Sequence, residues 1–183
     1  MIDPLIVKVL SIALGLLLVA AAWHKLSSLR QFTAIVTDYQ LLPQFLVSPT
    51  AFLVPLAELV FGLAWLTGFA IPWVAPLTAG MFALYALAIA INLLRGRLHI
   101  SCGCGLGGTS AENQPLSWML VLRNTLLVAV ALQALTPVSG RTLGGLDWLT
   151  LIAALIASGF LYLGGSQLLQ NGAAIRSWRN PRD

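Results

Sequence analysis

Charge is what this sequence has least of. Only 9% of its 183 residues are Asp, Glu, Lys or Arg, whereas a soluble domain carries about 25%. So few charges cannot cover the surface of a water-soluble globule of this length. Cysteine is as scarce, with two in the chain, which excludes a disulfide-framed secreted scaffold. Ten basic groups against six acidic ones do not make the cationic footprint of a nucleic-acid module. The composition is equally unlike that of disordered or collagen-like chains. What fills the chain is apolar: 58% of residues are hydrophobic and mean hydropathy is +0.89. An all-α polytopic membrane bundle, forming one domain over residues 1–183, is the economical reading.

A helix needs about 20 mainly apolar residues to cross the hydrocarbon core. Five runs meet that length: Leu5–Trp23, Ala51–Ile71, Trp73–Leu94, Leu116–Leu135 and Trp148–Leu169. Pro72 separates the second from the third and predicts a tight hairpin turning near Phe69–Pro72. Between the first two runs, Phe32, Ile35, Val36 and Tyr39 recur at helical spacing, which predicts a short interfacial helix. Pro43 and Pro49 are expected to end the regular structure there. The segment Arg95–Pro115 carries both cysteines, and the basic tail from Asn171 onward is expected to fray. Ala20–Ala22 resembles a leader cleavage site, but Asp3 and the lack of a basic cluster before the apolar run favour an uncleaved first span. Trp23, Trp73, Trp118 and Trp148 stand at run ends, as an aromatic belt would.

Five spans put the termini on opposite sides. One side collects Lys25, Arg30, Arg95, Arg97, Arg176, Arg179 and Arg182; the other collects Arg141 and Lys8. The positive-inside rule therefore places the N-terminus outside and the flanks of the cysteine segment in the cytoplasm.

Cys102 and Cys104 lie one residue apart in the Gly-rich stretch Ser101–Gly108. A disulfide needs Cα atoms about 4.4–6.8 Å apart. Extended backbone would exceed that, so the chain must bend at Gly103, and so small a ring should be strained and exchangeable. Arg97 and His99 are near in sequence and can favour a thiolate. Two other readings stay open. His99, Cys102 and Cys104 offer three ligands for copper(I) or zinc, without the fourth that a structural site shows. The thiols can also be inert. Glu58 and Arg123 fall at membrane depth, where ionisable groups face the bundle interior and pair. They are the natural partners for each other, either as a structural bridge or as a proton or quinone-headgroup site. Asn92 and Asn124 are expected to hydrogen-bond between helices. His24, beside Lys25, is a candidate base or a polar residue at headgroup level.

The order of these features resembles one family. Trp23-His24-Lys25-Leu26 is followed by Tyr39-Gln40-Leu41-Leu42-Pro43 and then by Ala57-Glu58-Leu59-Val60-Phe61-Gly62. Ile91-Asn92-Leu93-Leu94-Arg95-Gly96-Arg97 precedes Ser101-Cys102-Gly103-Cys104-Gly105, and Arg123-Asn124 comes later. This resembles the methylamine utilization protein MauE family, within the DoxX-like integral membrane proteins, from about residue 5 to residue 135. The Cys-x-Cys pair with Arg-Asn is the specific part. Leu106 departs from the pattern, because the family often has an aromatic there.

The resemblance implies a role in maturing methylamine dehydrogenase, whose periplasmic small subunit is rich in disulfides. It implies a thioredoxin-like, membrane-anchored partner of the MauD type, with Cys102 and Cys104 as the redox pair. Electrons then pass to a membrane quinone as candidate acceptor or come from the cytoplasm in the reverse direction, and the bacterial inner membrane is the expected location. A metal or solute transporter and a non-catalytic scaffold for the partner are the competing functions. The periplasmic partner conflicts with the basic count. Either the Gly-rich loop Leu98–Ala111, whose one possible charge is His99, dips into the bundle, where protein can bury it, or the count misleads.

Overall fold

The computed structural model describes residues 3–97, 100, 116–137, 139–141 and 143–179. Those residues form six helices in chain order: α1 Pro4–Ser27, α2 Leu29–Tyr39, α3 Gln44–Thr67, α4 Ile71–Leu94, α5 Trp118–Gln133 and α6 Gly145–Arg179. The all-helical bundle expected from composition is what forms. Four of the helices, α1, α3, α4 and the Gly145–Gly165 part of α6, are long and apolar enough to cross a membrane.

The fifth apolar helix is shorter than the run that predicted it. Sixteen residues of α5 rise about 24 Å, against a core of about 30 Å. Its packing makes up for its length. Leu120 clusters with Ile89 and Leu93 of α4, while Ala131, eleven residues on, joins the cluster of Val74, Ala75 and Ala79. The helix thus runs antiparallel to α4 over most of α4's length.

Other boundaries move for identifiable reasons. α1 continues past Trp23 to Ser27, and α3 begins at Gln44 rather than Ala51. Pro43 ends nothing: it is the N-cap of α3, and Pro49 lies inside that helix. Proline near a helix start costs little, and membrane helices tolerate it further in because neighbouring groups re-satisfy the freed carbonyl. The α3–α4 hairpin turns where expected. Gly68 adopts a left-handed conformation that its missing Cβ permits, and Ala70 follows it before Pro72 opens α4. The tail expected to fray is instead helical backbone as far as Arg179. The belt tryptophans Trp23, Trp73, Trp118 and Trp148 are all exposed near helix ends.

α1 and α3 make the closest helix pair. A methyl group on Gly62 would lie 2.8 Å from Val19 Cγ2 and 3.0 Å from the Gly15 carbonyl oxygen. The two glycines face each other and let the backbones touch, the small-residue logic of membrane packing. Trp65, a core residue that the apolar pattern alone does not single out, donates from Nε1 to Thr78 Oγ1 at 3.0 Å and ties α3 to α4. Gly62→Val should therefore destabilise the protein by about 1–3 kcal/mol through forced separation of α1 and α3. Gly80→Ala, with open space around it, should be neutral or stabilising by about 0.5–1 kcal/mol. Thermal unfolding of both variants in detergent checks the contrast.

Candidate functional site

The antiparallel arrangement of α1, α3 and α4 brings one buried charge from each of two helices to the same depth. Lys25 sits in the last full turn of α1, and Glu58 sits mid-way along α3. They are 6% and 1% exposed, and Lys25 Nζ donates to Glu58 Oε1 in a salt bridge. Tyr85 of α4 donates its phenolic hydrogen to the same oxygen at 2.8 Å. The ammonium also lies 5.1 Å from the centre of the Tyr85 ring and 5.3 Å from that of Phe32. A desolvated ammonium over two ring faces gains on the order of 2 kcal/mol or more.

This corrects two expectations. Glu58 pairs with Lys25, not Arg123. Lys25 is not a loop cation either, because α1 extends far enough to carry it into the bundle. Arg123 lies near enough for its charge to act on Lys25, but its buried Nε has no hydrogen-bond partner among the described residues. The same holds for Glu58 Oε2. The local assembly is therefore two cations and one carboxylate, with one carboxylate oxygen left to accept.

The asparagines also behave differently from the expectation. Asn92 and Asn124 are buried, but their amides donate to Ala88 and Leu120 carbonyls one turn back on their own helices, at 3.1 and 2.8 Å. They satisfy local backbone rather than gluing helices. Arg97 donates to Gln40 Oε1, and Arg95 reaches the Gln40 carbonyl at 3.4 Å. Both guanidinium groups thus hold the α2–α3 turn, where Gln40 is left-handed. His24 is half-buried beside Lys25. Cys102, Cys104 and His99 lie outside the described residues.

Beside the ion pair is a cavity of about 480 Å³ between α2, α3 and α4. Phe32, Ile35, Val36 and Tyr39, the periodic residues of α2, all line it. The amphipathic face of α2 is therefore spent on this cavity. Lys25 and Tyr85 form its polar part, and the remaining wall is almost wholly apolar. Burial pushes the Tyr39 phenol pKa up.

Tyr39 also joins Ile100, Ile89, Leu93, Leu116 and Leu120 in one apolar cluster. Ile100 stands two residues before Cys102, and Leu116 follows the cysteine segment. The stems of that segment are thus anchored at the cavity end of the bundle.

The sequence matches the family model described as Methylamine utilisation protein MauE over residues 3–137. Among the proteins it is similar to are several called Methylamine utilization protein MauE. With that of Paracoccus denitrificans it shares 40% identity, over 74% of this chain and 72% of the relative. With that of Methylophilus methylotrophus the figure is 35%, over 88% and 84%. With that of Methylorubrum extorquens it is 34%, over 96% and 89%. No solved structure matches the chain.

Removing one member of a buried pair strands the other charge and costs about 3–5 kcal/mol. Lys25→Met and Glu58→Gln should each show that loss, and the double variant should lose clearly less than the sum. Tyr85→Phe should cost about 1.5–3 kcal/mol, one hydrogen bond to a charged acceptor. Denaturation of the four variants in detergent, read as a double-mutant cycle, checks the pairing.

Proposed function

The chain belongs to the MauE family of methylamine utilisation proteins, and from that premise we propose that it is a membrane thiol–disulfide redox protein serving the maturation of methylamine dehydrogenase. Its partner is a thioredoxin-like protein of the MauD type, and the client is the periplasmic small subunit of that enzyme. The observation that carries the reading is the Cys102-Gly103-Cys104 pair, the chain's whole complement of cysteine. The placement of its stems supports it, since Ile100 and Leu116 meet at the end of the bundle that holds the buried ion pair.

The exchange balances as follows. A thiolate of the partner attacks the Cys102–Cys104 disulfide, one sulfur bond forms and one breaks, and a mixed disulfide results. The partner's second thiol displaces it, leaving a dithiol here and a disulfide on the partner. Reoxidation releases two electrons and two protons, which a membrane quinone takes up to become the quinol. The client's need for many disulfides favours this direction.

The protein resides in the bacterial inner membrane with its N-terminus outside, as the basic residues argue. Burial of Lys25 in its pair with Glu58 removes one cation from the cytoplasmic count but leaves Arg30, Arg95 and Arg97 on that end. A periplasmic partner then requires either access to the thiols through the bundle or a topology that departs from the basic count.

The test is a trap. Cys102→Ser and Cys104→Ser variants, each co-expressed with the partner, should give a covalent complex on non-reducing gels: the remaining thiol attacks the partner's disulfide in the reverse direction, and the second thiol that would release the mixed disulfide from this side is gone. The variant that traps better identifies which cysteine bonds to the partner. Labelling of the reduced thiols with a membrane-impermeant maleimide reports the face from which they are reached. If neither variant traps the partner and the wild-type thiols stay reduced under mild oxidant, the redox reading fails. Full client maturation by the double serine variant would instead make the protein a scaffold.

A further inference from the structure

We propose that the cavity between α2, α3 and α4 is a binding site for an isoprenoid quinone, its ring at Lys25 and Tyr85 and its tail directed to the lipid face of α4. The volume of about 480 Å³ falls within the range of about 300–1,000 Å³ that small-molecule sites occupy. The wall explains the class of ligand. It is almost wholly apolar, with Lys25 and Tyr85 at one corner and Thr50 and Tyr39 the other polar residues of the wall, which suits a long hydrophobic molecule with a small polar head.

Charge selects among such molecules. The Lys25 ammonium already has a counter-ion in Glu58, and Arg123 is not part of the cavity wall, so the wall itself offers no unpaired charge to an anionic fatty acid or phospholipid head. It does offer donors: an ammonium has three N–H groups, and the carboxylate takes one of them. A neutral carbonyl oxygen fits what remains. The Tyr85 hydrogen points to Glu58, which leaves the phenolic oxygen free to accept from a hydroxyl. One corner can thus bind a carbonyl through Lys25 and a hydroxyl through Tyr85, the two forms a quinone head takes. Phe32 and Tyr39 supply aromatic faces for a flat ring.

The tail also has a route. Leu84 and Leu87 line the cavity and are 65% and 56% exposed, so this wall reaches the lipid-facing surface. For its role the site rests on the thiol–disulfide reading, whose electron acceptor it would hold; for its binding it does not.

The experiment titrates the purified full-length protein in nanodiscs with decylubiquinone and follows binding by calorimetry. Saturable binding of one quinone per chain is expected, and unchanged binding to the Cys102→Ser/Cys104→Ser double variant. Ala88→Phe and Val36→Trp, which fill the cavity from opposite walls, should each weaken binding by about tenfold or more. Circular dichroism and thermal unfolding establish that these variants are folded. Val36 sits on α2, where no residue is fully buried, so this variant tests the site if Ala88→Phe does not fold. Absence of saturable binding to the wild type overturns the proposal. So does full-strength binding to a folded cavity-filled variant, or equal displacement by palmitate, which would make the cavity a general lipid pocket. Quinone binding without any mixed disulfide would leave this site standing while the thiol reading fails, and the reverse result would do the opposite.

Discussion

The bundle is organised around a lysine and a glutamate that have to meet inside an apolar protein. Neither charge is tolerable alone at that depth, since desolvation of an ion costs several kcal/mol even after relaxation. Their pairing fixes the register of α1 against α3, and the Tyr85 hydroxyl adds α4 to the same point. The Gly15–Gly62 contact ten residues back along α1 lets the helices approach closely. A rigid three-helix corner follows, and α2 closes over it with its apolar face. The cavity is the space left between that lid and the corner.

This geometry places the polar end of the cavity and the stems of the cysteine segment at one end of the molecule. Tyr39 is the shared element, because it lines the cavity and also packs in the cluster that holds Ile100 and Leu116. Arg95 and Arg97, at the end of α4, reach across to Gln40 and hold the turn that positions α2 over α3. Both arginines thus keep the lid in place. On the proposed thiol–quinone reading, this convergence would bring electron donor and acceptor to one end of the bundle.

Much of this was legible in the sequence. Four apolar runs became long helices, Pro72 marked the hairpin, and the spacing of Phe32, Ile35, Val36 and Tyr39 foretold α2. What the periodicity could not give was which helix packs against which. Glu58 had two cations to choose from, and Arg123 seemed the better partner because it stood deeper in an apolar run. Lys25 counts as a cytoplasmic-side cation in the sequence only because the first apolar run stops at Trp23; one further turn of α1 buries it. Pro43 and Pro49 misled because proline breaks helices in water more readily than near the start of a buried one. Trp65 carried no signal of its own, since its partner Thr78 lies across the hairpin and only the folded chain brings them together. The cavity was invisible for the same reason: it belongs to three helices, and no single stretch of sequence encodes it.

The central claim is that Glu58 is an ionised carboxylate whose charge is held by Lys25. Infrared difference spectroscopy on protein carrying carbon-13-labelled glutamate carboxyl groups reads this directly. A carboxylate band should be present in the wild type and lost in Glu58→Gln. In Lys25→Met the band should shift in frequency, because the ammonium from which that carboxylate accepts is gone. A Glu58 carboxyl already protonated in the wild type, or a carboxylate band indifferent to the loss of Lys25, would contradict the account.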